Sequence, residues 1–266
     1  MEGQSVFVQK VGVMVSSGET EGSSERRVWV TERDEAMIEW LSLVKITSMQ
    51  GVRWMLGALN GTEGPVSLRK AQSWCARMEA VQLVERGRVS SVGGALVWPT
   101  HAASGRTPPS LLRQTTRHEV AVSVVSARYL SAGWAWDRDR SVGRVGGDHS
   151  ADGIAFRGEG TELVEVELTG KRPLRYRDIF SAFNWRLANE HITGIRYFCT
   201  ESAARALQGA LNAPNLGGHS LRGILHIHSV FDGRGVWESD TAPKDIAGTR
   251  EEVAVPVQGM LTEQGE

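Results

Sequence analysis

The chain of 266 residues is poor in cysteine and in lysine. Its two cysteines, Cys75 and Cys199, lie far apart in the sequence, so no disulfide framework or cysteine-based zinc site is predicted. Such sparse cysteine fits a reducing cytoplasm. Arginine greatly outnumbers lysine among the 30 basic residues, which indicates a GC-rich bacterial genome; the lysines are Lys10, Lys45, Lys70, Lys171 and Lys244.

Several sequence patterns are also missing. No segment approaches the roughly 18–20 apolar residues of a membrane helix, and the N-terminus lacks a basic-then-apolar signal pattern. The glycine-rich segment 142–148 matches neither a GxxxxGK[ST] phosphate loop nor a GxGxxG turn after a strand. No signature supports Ser/His/Asp catalysis. We therefore expect a cytoplasmic protein with no membrane partner.

The overall composition is that of a globular protein, with 41% apolar and 23% charged residues. A net charge of −1 gives no electrostatic signature for the whole chain, so a basic surface has to be sought locally. Changes in composition predict four segments. They are a flexible tail at 1–28, a first domain at 29–105, a second domain at 106–240 and a C-terminal tail at 241–266.

The first domain reads as three helices and a hairpin. Thr31 and Asp34 have the spacing of a capping box at the start of the first helix. Thr47 and Ser48 are candidate N-caps for a short second helix. The third helix starts near Val66 and is expected to bury Leu68, Ala71, Cys75 and Met78. A strand, a glycine-rich turn and a second strand follow. This order predicts a winged helix-turn-helix domain.

The third helix of such a domain would read DNA. Its positions off the expected core are Ser67, Arg69, Lys70, Ser73, Trp74 and Arg77. From Gly51 to Arg117 there are three glutamates, no aspartate and nine basic residues: Arg53, Arg69, Lys70, Arg77, Arg86, Arg88, Arg106, Arg113 and Arg117. A local basic field is what phosphate neutralisation requires. We therefore expect double-stranded DNA as the partner. A protein-contact or dimerisation module, including a homodimer, is the alternative.

The second domain has the order of an α/β unit. A helix over Leu111–Leu130, with Leu112 on its buried side, precedes three strands. A basic helix, a strand, another helix and a last strand follow, and the two late crossovers predict parallel pairing. The basic helix is expected to bury an aromatic face and to direct Arg172, Arg175, Arg177 and Arg186 away from it. In the last strand His226 and His228 share a face, but no third zinc ligand accompanies them.

The stretch from Asp148 to Phe183 carries the candidate chemistry. Asp152 belongs to one strand, and Glu165, Glu167 and Lys171 alternate along the next. Pairing of these strands as a hairpin would bring Asp152 near Glu165. Two carboxylates and a backbone carbonyl suit Mg²⁺, which polarises phosphates and supplies hydroxide, and a lysine would stabilise the developing charge. The alternative is that the glutamates form the solvated face of a half-exposed strand.

These residues also carry a resemblance. The order of these elements resembles the replication-relaxation family. It consists of a winged helix, a helix with Arg117–His118–Glu119, and then the segments SADG, VEVELTGK and RYRDIFSAF. Those proteins are associated with plasmids and other mobile elements of Gram-positive bacteria. The resemblance covers roughly residues 30–230 and implies an α+β protein. Its winged helix would be followed by an α/β domain of the PD-(D/E)XK restriction-endonuclease-like fold.

The resemblance assigns roles residue by residue. Asp152 would be the first metal carboxylate and Glu165 the second, with Mg²⁺ or Mn²⁺ as the cofactor. Glu167 stands where the family motif has lysine, and Lys171 would be a relocated lysine. The motif's proline is absent, because Ala151 precedes Asp152. Glu119 and His118 are candidate outer ligands.

We therefore expect a DNA-binding protein of a plasmid, phage or other mobile element. Asp152, Glu165, Glu167 and Lys171 would cut or nick DNA in replication or mobilisation, together with other proteins of those processes. The alternatives are a non-catalytic regulator with a degenerate nuclease fold and a protein-interaction module.

Overall fold

The computed structural model describes residues 12–13, 28–89, 92–140, 149–240 and 246. The protein is α+β: a small antiparallel sheet with helices is followed by a mixed five-stranded sheet with helices. Within the described residues, no helix is both long and apolar enough to cross a membrane. The predicted N-terminal tail lies outside the described residues, except that Gly12–Val13 (β1) pairs with Val28–Trp29 (β2).

The N-terminal unit contains the predicted three helices and hairpin. Its elements are α1 (Glu32–Val44), β3 (Thr47–Ser48), α2 (Met49–Leu59), α3 (Leu68–Ala80), β4 (Val84–Val89) and β5 (Val92–Pro99). The strands pair in the order β3-β5-β4, all antiparallel. The capping box at Thr31 and Asp34 is confirmed. Ser48 is the N-cap of α2, although its side chain makes no cap bond.

The predicted buried face of α3 is confirmed at three of its four positions, Ala71, Cys75 and Met78. Leu68, expected in the core, is 49% exposed, whereas Trp74, expected outside, is only 4% exposed. The Trp74 indole donates to Asp34 Oδ1 at 2.9 Å, and Arg77 also bonds to Asp34. Asp34 is fully buried on α1, so it requires such donors. The polar contact between α1 and α3 therefore adds Trp74 to the buried face of α3.

The second sheet has the strand order β10-β9-β8-β7-β6. The elements after β5 are α4 (His101–Ser104), α5 (Thr115–Ser131), β6 (Ala135–Asp137), β7 (Gly153–Arg157), β8 (Gly160–Glu167), α6 (Pro173–Asn189), β9 (Gly194–Thr200), α7 (Glu201–Asn212), a 3₁₀ turn (Gly218–Leu221) and β10 (Leu225–Phe231). Strands β6, β7 and β8 are antiparallel, and β8, β9 and β10 are parallel. The predicted late parallel pairing is confirmed.

Helices cover both faces of this sheet. Leu163 and Tyr197 pack with α6 and α7 on one face, and Val164, Val166 and Phe198 pack with α5 on the other. Arg186, predicted to lie off the buried face of α6, is only 3% exposed, because it forms an ion pair with buried Asp139.

Helix α5 also packs against the N-terminal unit. Trp40 Nε1 on α1 donates to Ser126 Oγ at 3.0 Å, and Ser123 Oγ donates to Thr47 Oγ1 at 2.7 Å. The helix begins at Thr115, later than predicted, and Leu112 precedes it and is 92% exposed. The predicted buried position of Leu112 is therefore wrong. Helix α5 connects the two units physically.

The chain after β10 also packs against both units. Trp237 is buried, and the Arg128 guanidinium from α5 lies between the rings of Trp54 and Trp237, 4.5 and 4.0 Å from their centroids. Of the predicted C-terminal tail, only residue 246 is described; Ile246 is buried, and its carbonyl accepts from Trp134 Nε1.

The carboxyl of Asp34 stabilises the fold in a pH-dependent way. Burial alone would raise its pKa, but the hydrogen bonds from Arg77, Thr31 and Trp74 outweigh burial and lower the pKa from 3.8 to about 2. Because the folded pKa lies below the unfolded one, the stabilisation is present above pH 4 and is lost as the pH falls towards 2.

We expect Asp34→Asn to lower the free energy of unfolding at pH 7 by about 2 kcal/mol, because Arg77 loses its charged partner. The difference from wild type should shrink between pH 4 and pH 2. Urea unfolding at each pH measures it, with the exposed Asp178→Asn as the matched control. Equal stability of wild type and Asp34→Asn at pH 7 would contradict the prediction.

Candidate active site

The hairpin of β7 and β8 brings Asp152 beside Glu165. Gly153 pairs with Val164, so Asp152, which directly precedes β7, lies opposite Glu165. Glycine is needed next to Asp152, because a Cβ at Gly153 would lie 2.1 Å from Trp136 Cζ2. The predicted hairpin is confirmed, and its register sets the backbone of Asp152 opposite that of Glu165; Asp152 precedes the strand instead of lying in it.

Strand β8 has no solvated face. Glu165 and Glu167 are 3% and 2% exposed, and Val164 and Val166 on the opposite side are also buried. The alternative that the glutamates form a wet strand face is therefore wrong. A buried carboxylate has to be compensated by donors or cations, and each of these residues has such a partner.

Asp152 is held by a backbone amide and by a histidine. Its Oδ2 accepts from Val166 N at 2.8 Å and from His118 Nε2 at 3.1 Å. His118 Nε2 also lies 3.1 Å from the Val166 carbonyl; because both neighbours are acceptors, Nε2 carries the proton. Burial opposes a charged Asp152 and a charged His118, but their mutual contact prevails. It lowers the pKa of Asp152 and raises that of His118.

Glu165 lies on the α6 face of the sheet. Its Oε1 lies 2.6 Å from His149 Nε2, and the His149 ring packs edge-on against Phe183. Burial and the nearby charge of Asp152 raise the pKa of Glu165, and His149 and Lys171 only partly offset them. Tyr197 pairs with Glu165 across β8 and β9; in the described part of the chain, its buried hydroxyl has no hydrogen-bond partner.

Glu167 is bound by two donors from the start of α6. Lys171 Nζ forms an ion pair with Oε2, and the Tyr176 hydroxyl donates to Oε1. The Tyr176 hydroxyl also accepts from Lys171 N at 3.1 Å. Strand β8 ends at Glu167, so Lys171 lies beyond the strand and reaches the site through the chain turn. Burial raises the pKa of Tyr176, so the phenol remains a donor.

Glu119, a predicted metal ligand, has other partners. Its carboxylate binds Arg138 and lies 3.8 Å from Lys45 Nζ. Arg138 in turn donates to the carbonyls of Asp152 and Val44 at 3.4 Å. Glu119 is therefore separated from the Asp152–Glu165 pair by a guanidinium.

A metal ion fits this donor set only in part. Among the described residues, no three His, Cys, Asp or Glu side chains converge in a way that could hold a metal. Mg²⁺, however, often keeps several waters and uses one or two carboxylates. Asp152, Glu165 and the Val166 carbonyl supply hard oxygens of that type. His118, however, contacts both the Asp152 carboxylate and the Val166 carbonyl.

The predicted DNA-contacting residues divide into two groups. Ser67, Arg69, Lys70 and Ser73 are exposed, and Ser67 caps α3 by accepting from Lys70 N at 3.3 Å. Trp74 is buried, and Arg77 pairs with Asp34, so neither is available as predicted. The sequence analysis missed Gln72, which is exposed on the same side.

Other residues were also missed. His149, Tyr176 and Tyr197 line the carboxylates, and only the nearness of His149 to Asp152 in sequence could have indicated one of them. The two histidines of the last strand do not form a metal pair: His226 is exposed, and His228 stacks on Phe198 at 5.2 Å. Comparison with protein-family models, with curated proteins and with solved structures gives no match to this chain. The resemblance to the replication-relaxation family therefore stays a prediction.

Two tyrosines beside the glutamates should differ in how loss of the hydroxyl affects stability. Tyr176→Phe removes a donor from buried Glu167 and should lower the free energy of unfolding by about 2 kcal/mol. Tyr197→Phe removes a buried hydroxyl without a partner and should leave stability unchanged or raise it by about 1 kcal/mol. Chemical denaturation of both variants measures this. A larger loss of unfolding free energy for Tyr197→Phe than for Tyr176→Phe would contradict the assignment of the hydrogen bond to Tyr176.

Proposed function

We propose that this chain is a duplex-DNA-binding protein of a mobile genetic element, with the N-terminal unit acting as a winged helix-turn-helix. The observation that carries the proposal is the exposed face of α3, where Arg69, Lys70, Gln72 and Ser73 stand together. The order α1-β3-α2-α3-β4-β5 supports it, because α3 then precedes a two-stranded wing.

The basic side chains of this surface are available to bind phosphates. In the described part of the chain, Arg69, Lys70 and Arg88 are exposed and form no ion pair. Arg88 lies on β4 close to the tip of the hairpin, where a wing would approach the DNA backbone. Arginine and lysine at these positions would neutralise phosphates, and Gln72 could pair with a base edge.

We expect the double variant Arg69→Ala/Lys70→Ala to bind duplex DNA about 10-fold to 100-fold more weakly at 100 mM salt. The slope of log K against log salt should fall by about 1.8, because two phosphate contacts are lost. Fluorescence anisotropy with a labelled duplex measures both quantities. The control is Arg205→Ala, an exposed position on α7. Unchanged affinity of the double variant would argue against α3 as the reading helix.

A second candidate function is DNA cleavage at the carboxylate site. The hairpin register favours it, because Asp152 lies opposite Glu165 where the restriction-endonuclease-like fold would have its metal carboxylates. When bound, Mg²⁺ or Mn²⁺ would polarise a phosphodiester and supply hydroxide. Asp152 and Glu165 would hold the ion, and Lys171, oriented by Glu167, would stabilise charge on the phosphate.

The chain order around these residues supports the same candidate. A helix, three antiparallel strands, a helix and a strand parallel to the third follow one another. The opposing observation is that each carboxylate of the set already has a side-chain partner: His118 for Asp152, His149 for Glu165 and Lys171 for Glu167. A regulator that binds DNA without cutting it would retain those contacts as structural ones.

We expect purified protein to nick supercoiled plasmid in Mg²⁺ or Mn²⁺, and Asp152→Asn to reduce the rate at least about 100-fold, because the ion loses a charged ligand. Asparagine still accepts from the Val166 amide, and Asp178→Asn is the surface control. Agarose-gel assays of nicked and supercoiled forms measure the rate. Equal nicking by wild type and Asp152→Asn, or none by either, would remove the enzyme claim and leave DNA binding standing.

A further inference from the structure

A cavity of about 270 Å³ lies beside the carboxylate site, at the end of β8. It is lined by polar side chains from the first turn of α5 and from the connection between β8 and α6: Gln114, Arg117, His118, Glu167, Thr169 and Lys171. Three of these six side chains are basic and one is acidic. Since Glu167 is paired with Lys171, and His118 with Asp152, the charge that remains in the cavity comes from Arg117.

Arg117 is the strongest unused donor in this cavity. In the part of the chain that the structure describes, its guanidinium forms no ion pair, and it offers five N–H groups. The side chain is partly buried, because its stem packs beside the turn at Gly235. A Cβ at Gly235 would lie 3.3 Å from Arg117 Cγ and 2.9 Å from Leu168 Cδ1, so glycine leaves room for both. The fold thus supports the stem of Arg117 at the cavity wall.

The other lining groups also donate. Gln114, which lines the cavity, is the N-cap of α5 and makes no side-chain cap bond. The positive N-terminal end of this 17-residue helix therefore borders the cavity. Lys171 uses one of its three donors on Glu167, and Thr169 adds a hydroxyl. A planar guanidinium with an ammonium and neutral donors around it matches the oxygens of a phosphate group.

We propose that this cavity binds one phosphate of a nucleic-acid backbone, with Arg117 as its main ligand. The assignment rests on the proposed DNA-binding function and adds a second contact region to it. The first region is α3 in the N-terminal unit, and the second lies next to Asp152 in the five-stranded sheet. A duplex that contacts both α3 and the cavity would be held next to the carboxylates by Arg117.

The test measures duplex binding at several salt concentrations by fluorescence anisotropy. Arg117→Gln should weaken binding about 5-fold to 10-fold at 100 mM salt and lower the slope of log K against log salt by about 0.9, the value for one lost phosphate contact. Arg117→Lys, which retains the charge, should retain the slope. Arg205→Gln is the matched control for the change in net charge and should alter neither quantity. Melting temperatures equal to that of wild type establish that the variants are folded.

The outcomes separate this inference from the proposed function. If Arg69→Ala/Lys70→Ala weakens binding and Arg117→Gln does not, the cavity assignment is overturned and DNA binding stands. If wild type binds no duplex, the proposed DNA-binding function fails, and so does a nucleic-acid backbone as the source of the phosphate. Calorimetric titration of wild type with inorganic phosphate then shows whether the cavity binds a phosphate anion. A saturable site that Arg117→Gln abolishes supports a phosphate site for a free anion, and no site in wild type overturns the inference completely.

Discussion

The structure of the second unit depends on the cost of burying carboxylates. Asp152, Glu165 and Glu167 lie at one end of β8, and the two glutamates are almost without solvent contact. Each therefore needs a donor or cation, and these come from different parts of the chain. His118 comes from α5, His149 from the segment before β7, and Lys171 with Tyr176 from the start of α6. Because a lone buried charge is unfavourable by several kcal/mol, this requirement fixes how those segments meet the sheet.

Helix α5 extends this arrangement to the N-terminal unit. One of its sides covers the five-stranded sheet and supplies His118, and another contacts α1 and β3 through Ser126 and Ser123. Arg138 adds a polar link, because it contacts the carbonyl at the end of α1, Glu119 on α5 and the carbonyl of Asp152. The DNA-contacting surface that we propose and the carboxylate site are therefore parts of one packed structure. This arrangement suits a protein in which both regions contact one duplex.

Residue pattern predicted the elements better than the faces of those elements. The capping box, the three helices, the hairpin and the late parallel strands follow from local spacing, and all of them are present. On α3, the buried positions of Ala71, Cys75 and Met78 were predicted correctly, but Trp74 was wrongly treated as an outward aromatic residue. Its indole nitrogen needed a buried acceptor, and Asp34, 40 positions earlier, supplied one. Similarly, Arg186 was taken for a solvated arginine, because its partner Asp139 belongs to another segment.

By itself, the sequence determined the types and the order of the helices and strands, because capping, periodicity and turn residues act over a few positions. It also determined that Asp152 and Glu165 would be neighbours, since a hairpin connects residues that are close along the chain. Only the tertiary structure decided that β8 is buried on both sides, that Glu119 binds Arg138, and that His149 and Tyr197 lie beside the carboxylates. Those outcomes depend on contacts between residues distant in sequence, where packing and the desolvation of charge decide which partners meet.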